Sequence, residues 1–193
     1  MAAAADGYRA EVTLFPEGAS SLDKPVARED IARLQHHVVQ GFADDRFQRH
    51  GNHRVATGQL QGDFAHRLAH AASGGQDAPA ATITGFTQIY SNLILNSINH
   101  GFDNWDKPKK ITIKVEQEGE ELLINYSDNG RGIPPEILPR IFDPFVTSKR
   151  GQGGSGLGTH IIYNLVVQLL RGRIHCASEP GQGAQFHIRL PIQ

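Results

Sequence analysis

The chain reads as an α+β protein, and three observations lead there. Residues 82–102, TITGFTQIYSNLILNSINHGF, repeat apolar side chains at helical spacing. Residues 109–130, KKITIKVEQEGEELLINYSDNG, alternate apolar and polar side chains on both sides of a central E-G-E, the pattern of a hairpin. An apolar helix, THIIYNLVVQLLRG, then precedes two short strands, RIHCASE and AQFHIRLP, joined by the turn PGQG.

The elements follow in order. YRAEVTLF alternates, so a strand is expected over 8–14. REDIARLQHHVVQGF places Ile31, Leu34, Val38 and Val39 at helical spacing, which predicts a helix over 28–42. Residues 43–79 turn polar and rich in His, Gln and Ala, the composition of a loop; HRVAT within them fits a short strand and DFAHRLAHAA a short helix. The helix that follows is expected to be capped by Thr82 or Thr84 and closed by Gly101. In the hairpin, Ile111, Ile113 and Val115 alternate with polar residues, and Leu122, Ile124 and Tyr126 do the same across the E-G-E turn. PPEILPRIF is a short helix or turn, and Gly172 stops the last helix. We therefore expect an N-terminal segment, 1–81, and a compact domain, 82–193.

Bulk properties exclude several function classes. A length of 193 residues suffices for one buried core. The formal net charge of −1, without a block of like charges, argues against a nucleic-acid partner and against a polybasic membrane patch. No run of eighteen apolar residues is present, so no membrane insertion is expected. The single cysteine, Cys176, cannot form an internal disulfide, and MAAAADGYRAEV does not read as a signal peptide. A cytoplasmic setting follows as an expectation, either free or as the cytosolic part of a membrane-associated sensor.

The chemistry starts on the helix before Gly101. Phe86, Ile89, Leu93, Ile94 and Ile98 predict a core-facing helix, yet Gln88, Asn92 and Asn96 succeed one another at i, i+4, with Asn99 and His100 closing the row. A solvated stripe would more often carry Lys and Glu. The other reading is a set of neutral oxygen ligands. Mg²⁺ takes few ligands from protein and the rest from water and phosphate, and an Asn carbonyl supplies one without negative charge. Next, YSDNGRGIPP places a carboxylate, Asp128, at a strand end, followed by Gly130 and Gly132. It reads either as an ordinary D-N-G turn or as a carboxylate that accepts from an exocyclic amine, with glycines that let a flat ring approach. Last, RGQGGSGLGTH holds five glycines in the eleven residues 150–160. It matches G-x-G-x-x-G but lacks the apolar lead-in strand of a dinucleotide fold, and it has no G-K-[ST]. Alone it fits a phosphate loop or a linker equally well.

Together these pieces stand in a fixed order: N-x-x-x-N-x-x-x-H, D-N-G-x-G-I, I-F-D-P-F and G-G-S-G-L-G. From about Gln88 to Pro191 this order resembles the ATP-binding domain of two-component sensor histidine kinases, of the GHKL or Bergerat-fold superfamily. Asn92 to His100 looks like the N box, Asp128 to Ile133 the first glycine box, Ile141 to Phe145 the F box, and Gly151 to Gly158 the second glycine box and ATP lid. The resemblance implies a two-layer α/β sandwich, with a mixed, mostly antiparallel sheet covered on one face by helices. It also implies ATP and Mg²⁺ as cofactors. Asn96 is then the metal residue and, with Asn92, catalytic, while Asp128 holds the adenine amine. Nucleotide contacts are implied for Asn92, Asn96, Asn99, His100, Asp128, Gly130, Gly132, Ile133, Phe145, Thr147, Lys149, Arg150, Gly153, Gly154, Ser155, Gly156, Leu157, Gly158 and Thr159. RGQGGSGLGTH becomes the hinge of a mobile lid, and Lys149 and Arg150 add positive charge. Asn99 stands where many relatives have Lys or Arg, and Thr159 where leucine is usual.

One position separates the branches of that superfamily. Its ATPases and serine kinases carry a glutamate base one turn before the metal asparagine; here the residue is Asn92, which takes no proton at neutral pH. A neutral histidine acceptor needs no such base. The expected function is therefore transfer of the ATP γ-phosphate to a histidine on a dimerisation/phosphoacceptor domain, and onward to a response regulator. The alternatives are a GHKL ATPase, an anti-sigma-type serine kinase, or a regulatory module that binds nucleotide without transfer. No acceptor is evident: none of the ten histidines is followed by Asp or Glu. His36 and His37, and His66 and His70, read as polar helix faces; the latter pair has no third zinc ligand at sensible spacing. His175 and His187 read as structural strand residues.

Overall fold

In the computed structural model, the described residues are 9–14, 61–148 and 154–192. The strands are β1 (Arg9–Leu14), β2 (Ile111–Glu118), β3 (Glu121–Asp128), β4 (Arg173–Ser178) and β5 (Ala184–Pro191). They form a sheet in the order β1-β2-β3-β5-β4. Every pairing among them is antiparallel. The β2–β3 hairpin turns at the expected E-G-E, where Gly119 has φ +59°. The helices are α1 (Gln61–Ala72), α2 (Ala80–Asn96) and α3 (Gly158–Asn164). α2 and α3 each run on into a five-residue π-helical stretch, Ser97–Gly101 and Leu165–Leu169.

Side-chain alternation along the strands builds the core. Ile111, Ile113 and Val115 of β2, Leu122, Ile124 and Tyr126 of β3, and Phe186, Ile188 and Leu190 of β5 are all buried on one face. The helices cover that face with Leu68 and Ala69 from α1, Phe86, Ile89, Leu93 and Ile94 from α2, and Ile162 and Val166 from α3 and its extension. The result is the two-layer sandwich. Each such side chain contributes about 1.5–3 kcal/mol through burial.

Three expectations need correction or placement. α2 begins at Ala80 with Pro79 at its N-cap, not at Thr82 or Thr84. Pro79 is extended (φ −56°, ψ 141°), and its carbonyl accepts from Thr82 N at 2.9 Å, so neither threonine caps. The division at 81/82 runs through the packing. β1 pairs with β2 along its length, and Ala65, Leu68, Ala69 and Ala72 of α1 belong to the core cluster. The helix expected over 28–42 and the strand HRVAT lie outside the described residues.

Candidate functional site: a pocket between α2, α3 and the end of β3

A cavity of about 800 Å³ opens between α2, α3, the end of β3 and the loops 131–137 and 146–148. Most of its polar residues come from the three motifs. Asn92, Asn96, Asn99 and His100 line it from α2 and its extension. Asp128 lines it from the end of β3, Gly132 and Ile133 from the loop that follows, Thr147 from the loop 146–148, and Gly154, Ser155, Gly156, Leu157, Gly158 and Thr159 from the approach to α3 and its first residues. Gln88 is exposed and outside it, so the polar stripe divides. The carbonyl of Gln88 accepts from Asn92 Nδ2 at 2.8 Å, which leaves Asn92 Oδ1 for the pocket.

At one end, Asn92 and Asn96 meet the start of α3. A β-carbon on Gly158 would lie 3.2 Å from Asn92 Oδ1 and 3.2 Å from Asn96 Oδ1, so a side chain there would push both oxygens back by a few tenths of an ångström. Asn96 Nδ2 is buried and has no hydrogen-bond partner. An unpaired buried amide costs about 1–3 kcal/mol, a cost that a bound group can relieve. The first amides of α3 also lack intrahelical acceptors. The π-helical stretch widens the turn, with Phe102 N donating to Ser97 O at 2.7 Å, and carries His100 to within 3.3 Å of Ser148 Oγ.

At the other end, Asp128 is fixed from several sides. β3 alternates, so Asp128 continues the inward row Leu122, Ile124, Tyr126 and is itself 8% exposed. Ser97 Oγ donates to Oδ2 at 2.6 Å, and the amides of Gly130 and Ala184 donate to Oδ1 at 2.9 and 3.3 Å. Tyr126 Oη lies 2.8 Å from Ser97 Oγ. Because Ser97 gives its proton to the carboxylate, Tyr126 is the donor in that bond, and the chain runs Tyr126 to Ser97 to Asp128. Burial pushes the Tyr126 hydroxyl well above its ordinary value; the Ser97 bond opposes this and the Asp128 charge adds to it, so the donor stays protonated. Burial, with the same charge beside it, pushes the Cys176 thiol up to about 12.

Other expected residues stand elsewhere. Gly130 is buried against the Gly101 backbone, where a β-carbon would come within 2.5 Å of the Gly101 carbonyl oxygen. Its lack of a side chain therefore joins two chain segments and does not admit a flat ring. Phe145 is 64% exposed, with φ +65°, and does not line the cavity. Lys149, Arg150 and Gly153 lie outside the described residues. Ser97, Arg131 and Ile141 line the pocket from within the motifs without having been singled out, and Ile137, Val146, Ile161 and Phe186 line it from outside them. The inward run of β3 could have pointed to Asp128 and Tyr126 together, whereas the apolar walls come from separate loops.

Residues 81–193 match the family described as histidine kinase-, DNA gyrase B- and HSP90-like ATPase. The alginate biosynthesis sensor protein KinB of Pseudomonas aeruginosa is 38% identical over 105 residues, 54% of this chain and 17% of its own length. Sporulation kinase D of Bacillus subtilis is 37% identical over 100 residues, 52% of this chain and 19% of its own. The chain therefore spans less than a fifth of these relatives. Among solved structures, the catalytic domain of histidine kinase ThkA is 28% identical, covering 57% of this chain and 68% of its own, with a TM-score of 0.47. Among the described residues, no helix is long and apolar enough to cross a membrane. The chain belongs to the family of histidine kinase-, DNA gyrase B- and HSP90-like ATPases, and its residues 81–193 are an ATP-binding catalytic module of the sensor histidine kinase type.

Proposed function

We propose that this chain binds Mg²⁺-ATP in the cavity and passes the γ-phosphate to a histidine on a dimerisation/phosphoacceptor domain, which then serves a response regulator in the cytoplasm. Adenine lies against Asp128, whose fixed carboxylate accepts from the exocyclic amine. The phosphates run toward Asn92, Asn96 and the amides at the start of α3, where negative charge is favoured. Lys149 and Arg150 add positive charge from the lid. The residues present suit a hard cation held chiefly by water and phosphate: two neutral amide oxygens converge, and the buried, unpaired Asn96 Nδ2 is a donor for a phosphate oxygen. Asn96 would hold Mg²⁺, which, when bound, offsets the phosphate charge.

The observation that carries transfer to histidine, over hydrolysis, is the amide of Asn92 beside Asn96 at the start of α3. A carboxylate there would serve as a base for water; the amide takes no proton. Glu136 and Asp128 are the carboxylate residues among the described lining residues, and Asp128 already accepts three hydrogen bonds. The test supplies radiolabelled ATP and a dimerisation/phosphoacceptor domain. Acid-labile, base-stable label on the acceptor is the expected result. Tight ATP binding without label would leave a regulatory nucleotide module, and rapid release of phosphate would leave an ATPase.

A further inference from the structure

The face of the sheet turned away from the helices carries a polar group that the nucleotide pocket does not use. β4 and β5 pair with His175 directly opposite His187, and β3 places Asn125 opposite His187 on the other side. Their chain neighbours Cys176, Phe186, Ile188, Ile124 and Tyr126 are buried in the core, so by strand alternation these three point outward. The two imidazole rings are stacked, with centroids 6.4 Å apart and planes inclined by 16°. His187 Nδ1 lies 2.6 Å from Asn125 Oδ1. A carbonyl oxygen only accepts, so in the neutral ring Nδ1 carries the proton and Nε2 keeps its lone pair. Metal-binding histidines are oriented in the same way: one ring nitrogen donates to a carbonyl or carboxylate and the other ligates.

We propose that His175 and His187 form a binding site for a borderline divalent transition-metal ion of the Zn²⁺ and Ni²⁺ class, with Asn125 holding His187 in its ligating tautomer. Imidazole suits such ions better than it suits Mg²⁺. A ligating nitrogen stands about 2.0–2.1 Å from zinc, so one ion shared by two rings keeps their centres within roughly 6 Å. The rings are 6.4 Å apart and nearly parallel, so both must turn about their side-chain bonds before a nitrogen of each can face one ion. His175 is exposed and His187 partly buried, so water can complete the coordination shell. Lys114, opposite Asn125, and Arg173 and Arg189 share this face; the two arginines are paired with Glu121 at 2.8 and 3.3 Å, which lowers the repulsion an incoming ion would meet from them. Among the described residues no group of three or more His, Cys, Asp and Glu side chains could hold a metal, so this site has two protein ligands and exchanges its ion readily. It cross-links the edge strand β4 to β5, on the far side of the sheet from the nucleotide.

The test is calorimetric titration of the untagged full chain with ZnCl₂, and separately with NiCl₂, near neutral pH in a non-chelating buffer. Saturable binding is expected. His175→Gln and His187→Gln should each weaken it at least tenfold, and the pair together should remove it. Asn125→Ala should weaken it by about tenfold, the lower end for a residue that orients a ligand. His66→Gln with His70→Gln on α1 should leave it unchanged. Mg²⁺-ATP affinity, measured on every variant, should match the wild type and so report an intact fold. The proposal is overturned if the wild type shows no saturable binding, if the His175/His187 double variant binds as tightly as the wild type, or if only the α1 variant loses the ion. Wild-type affinity in Asn125→Ala would overturn the role given to Asn125.

Discussion

The two ends of the pocket are built on opposite plans. At the Asp128 end, the carboxylate accepts from Ser97, Gly130 and Ala184, and Ser97 is held in turn by Tyr126. At the asparagine end, two amide oxygens converge on Gly158, and Asn96 Nδ2 is buried with no partner. The first end is complete before any ligand arrives, and its acceptor cannot turn. The second is left with groups for the ligand to satisfy. Selectivity for a base calls for a fixed pattern, because a misplaced buried polar group loses its bond and its hydration together. Phosphates and their cation bring their own charge and water, so that end gains from remaining open.

The contrast can be broken most sharply at Asn96. Asn96→Ala should abolish phosphoryl transfer and weaken Mg²⁺-ATP binding, yet leave stability unchanged or raised, since it deletes an unpaired buried amide. Calorimetry with Mg²⁺-ATP and a thermal melt on the same sample check both halves. Wild-type affinity in this variant would remove Asn96 from the site.

Next in size is Asn92→Glu, which places a carboxylate one turn before Asn96, beside Gly158. Single-turnover hydrolysis of bound ATP, without acceptor, should rise by roughly 10²–10⁴-fold, the range of general-base assistance, while ATP affinity falls through charge repulsion. Fast hydrolysis by the wild type would show that another base already serves.

A smaller effect is expected at the closed end. Wild type should bind ATP over GTP by about 1–3 kcal/mol, because the guanine carbonyl faces the Asp128 carboxylate. Asp128→Asn should narrow that gap, and Ser97 and Tyr126 can reorient their hydroxyls around the new amide. Equal affinities for the two nucleotides in the wild type would contradict the role of Asp128.

The smallest effect concerns pH. Tyr126 and Cys176 both hold their protons more tightly folded than unfolded. Above the unfolded values, roughly 8.5 for Cys and 10 for Tyr, the unfolded chain binds fewer protons, so stability falls as pH rises. Each group steepens that fall by about 1.4 kcal/mol per pH unit. Tyr126→Phe should flatten the slope of denaturant-derived stability above pH ~10; an unchanged slope would mean that Tyr126 ionises freely in the folded protein.

Much of this molecule was legible in the order of its residues. Period-two alternation located β1, β2 and β3, because a strand buried on one face must alternate; the turn PGQG marked β4 and β5, and DFAHRLAHAA marked α1 within a polar stretch. The stripe on α2 and the D-N-G-R-G loop singled out Asn92, Asn96 and Asp128, which the fold gathers around one cavity. Helical and strand periods are local properties, set by backbone geometry, and they survive whatever the rest of the chain does. What only the tertiary structure decided depends on distant segments meeting. Gln88 belongs to the stripe yet faces solvent, since the cavity begins one turn later, where α3 arrives. Ser97 carried no signal of its own, and 31 residues of separation close into a 2.6 Å bond to Asp128. Gly130 looked like room for a ligand and is room for Gly101. The pairing of β1 with β2 and the apolar walls of the pocket likewise arise from contacts across long loops. No local period records such contacts, because their energy comes from surfaces that exist only after the chain has folded.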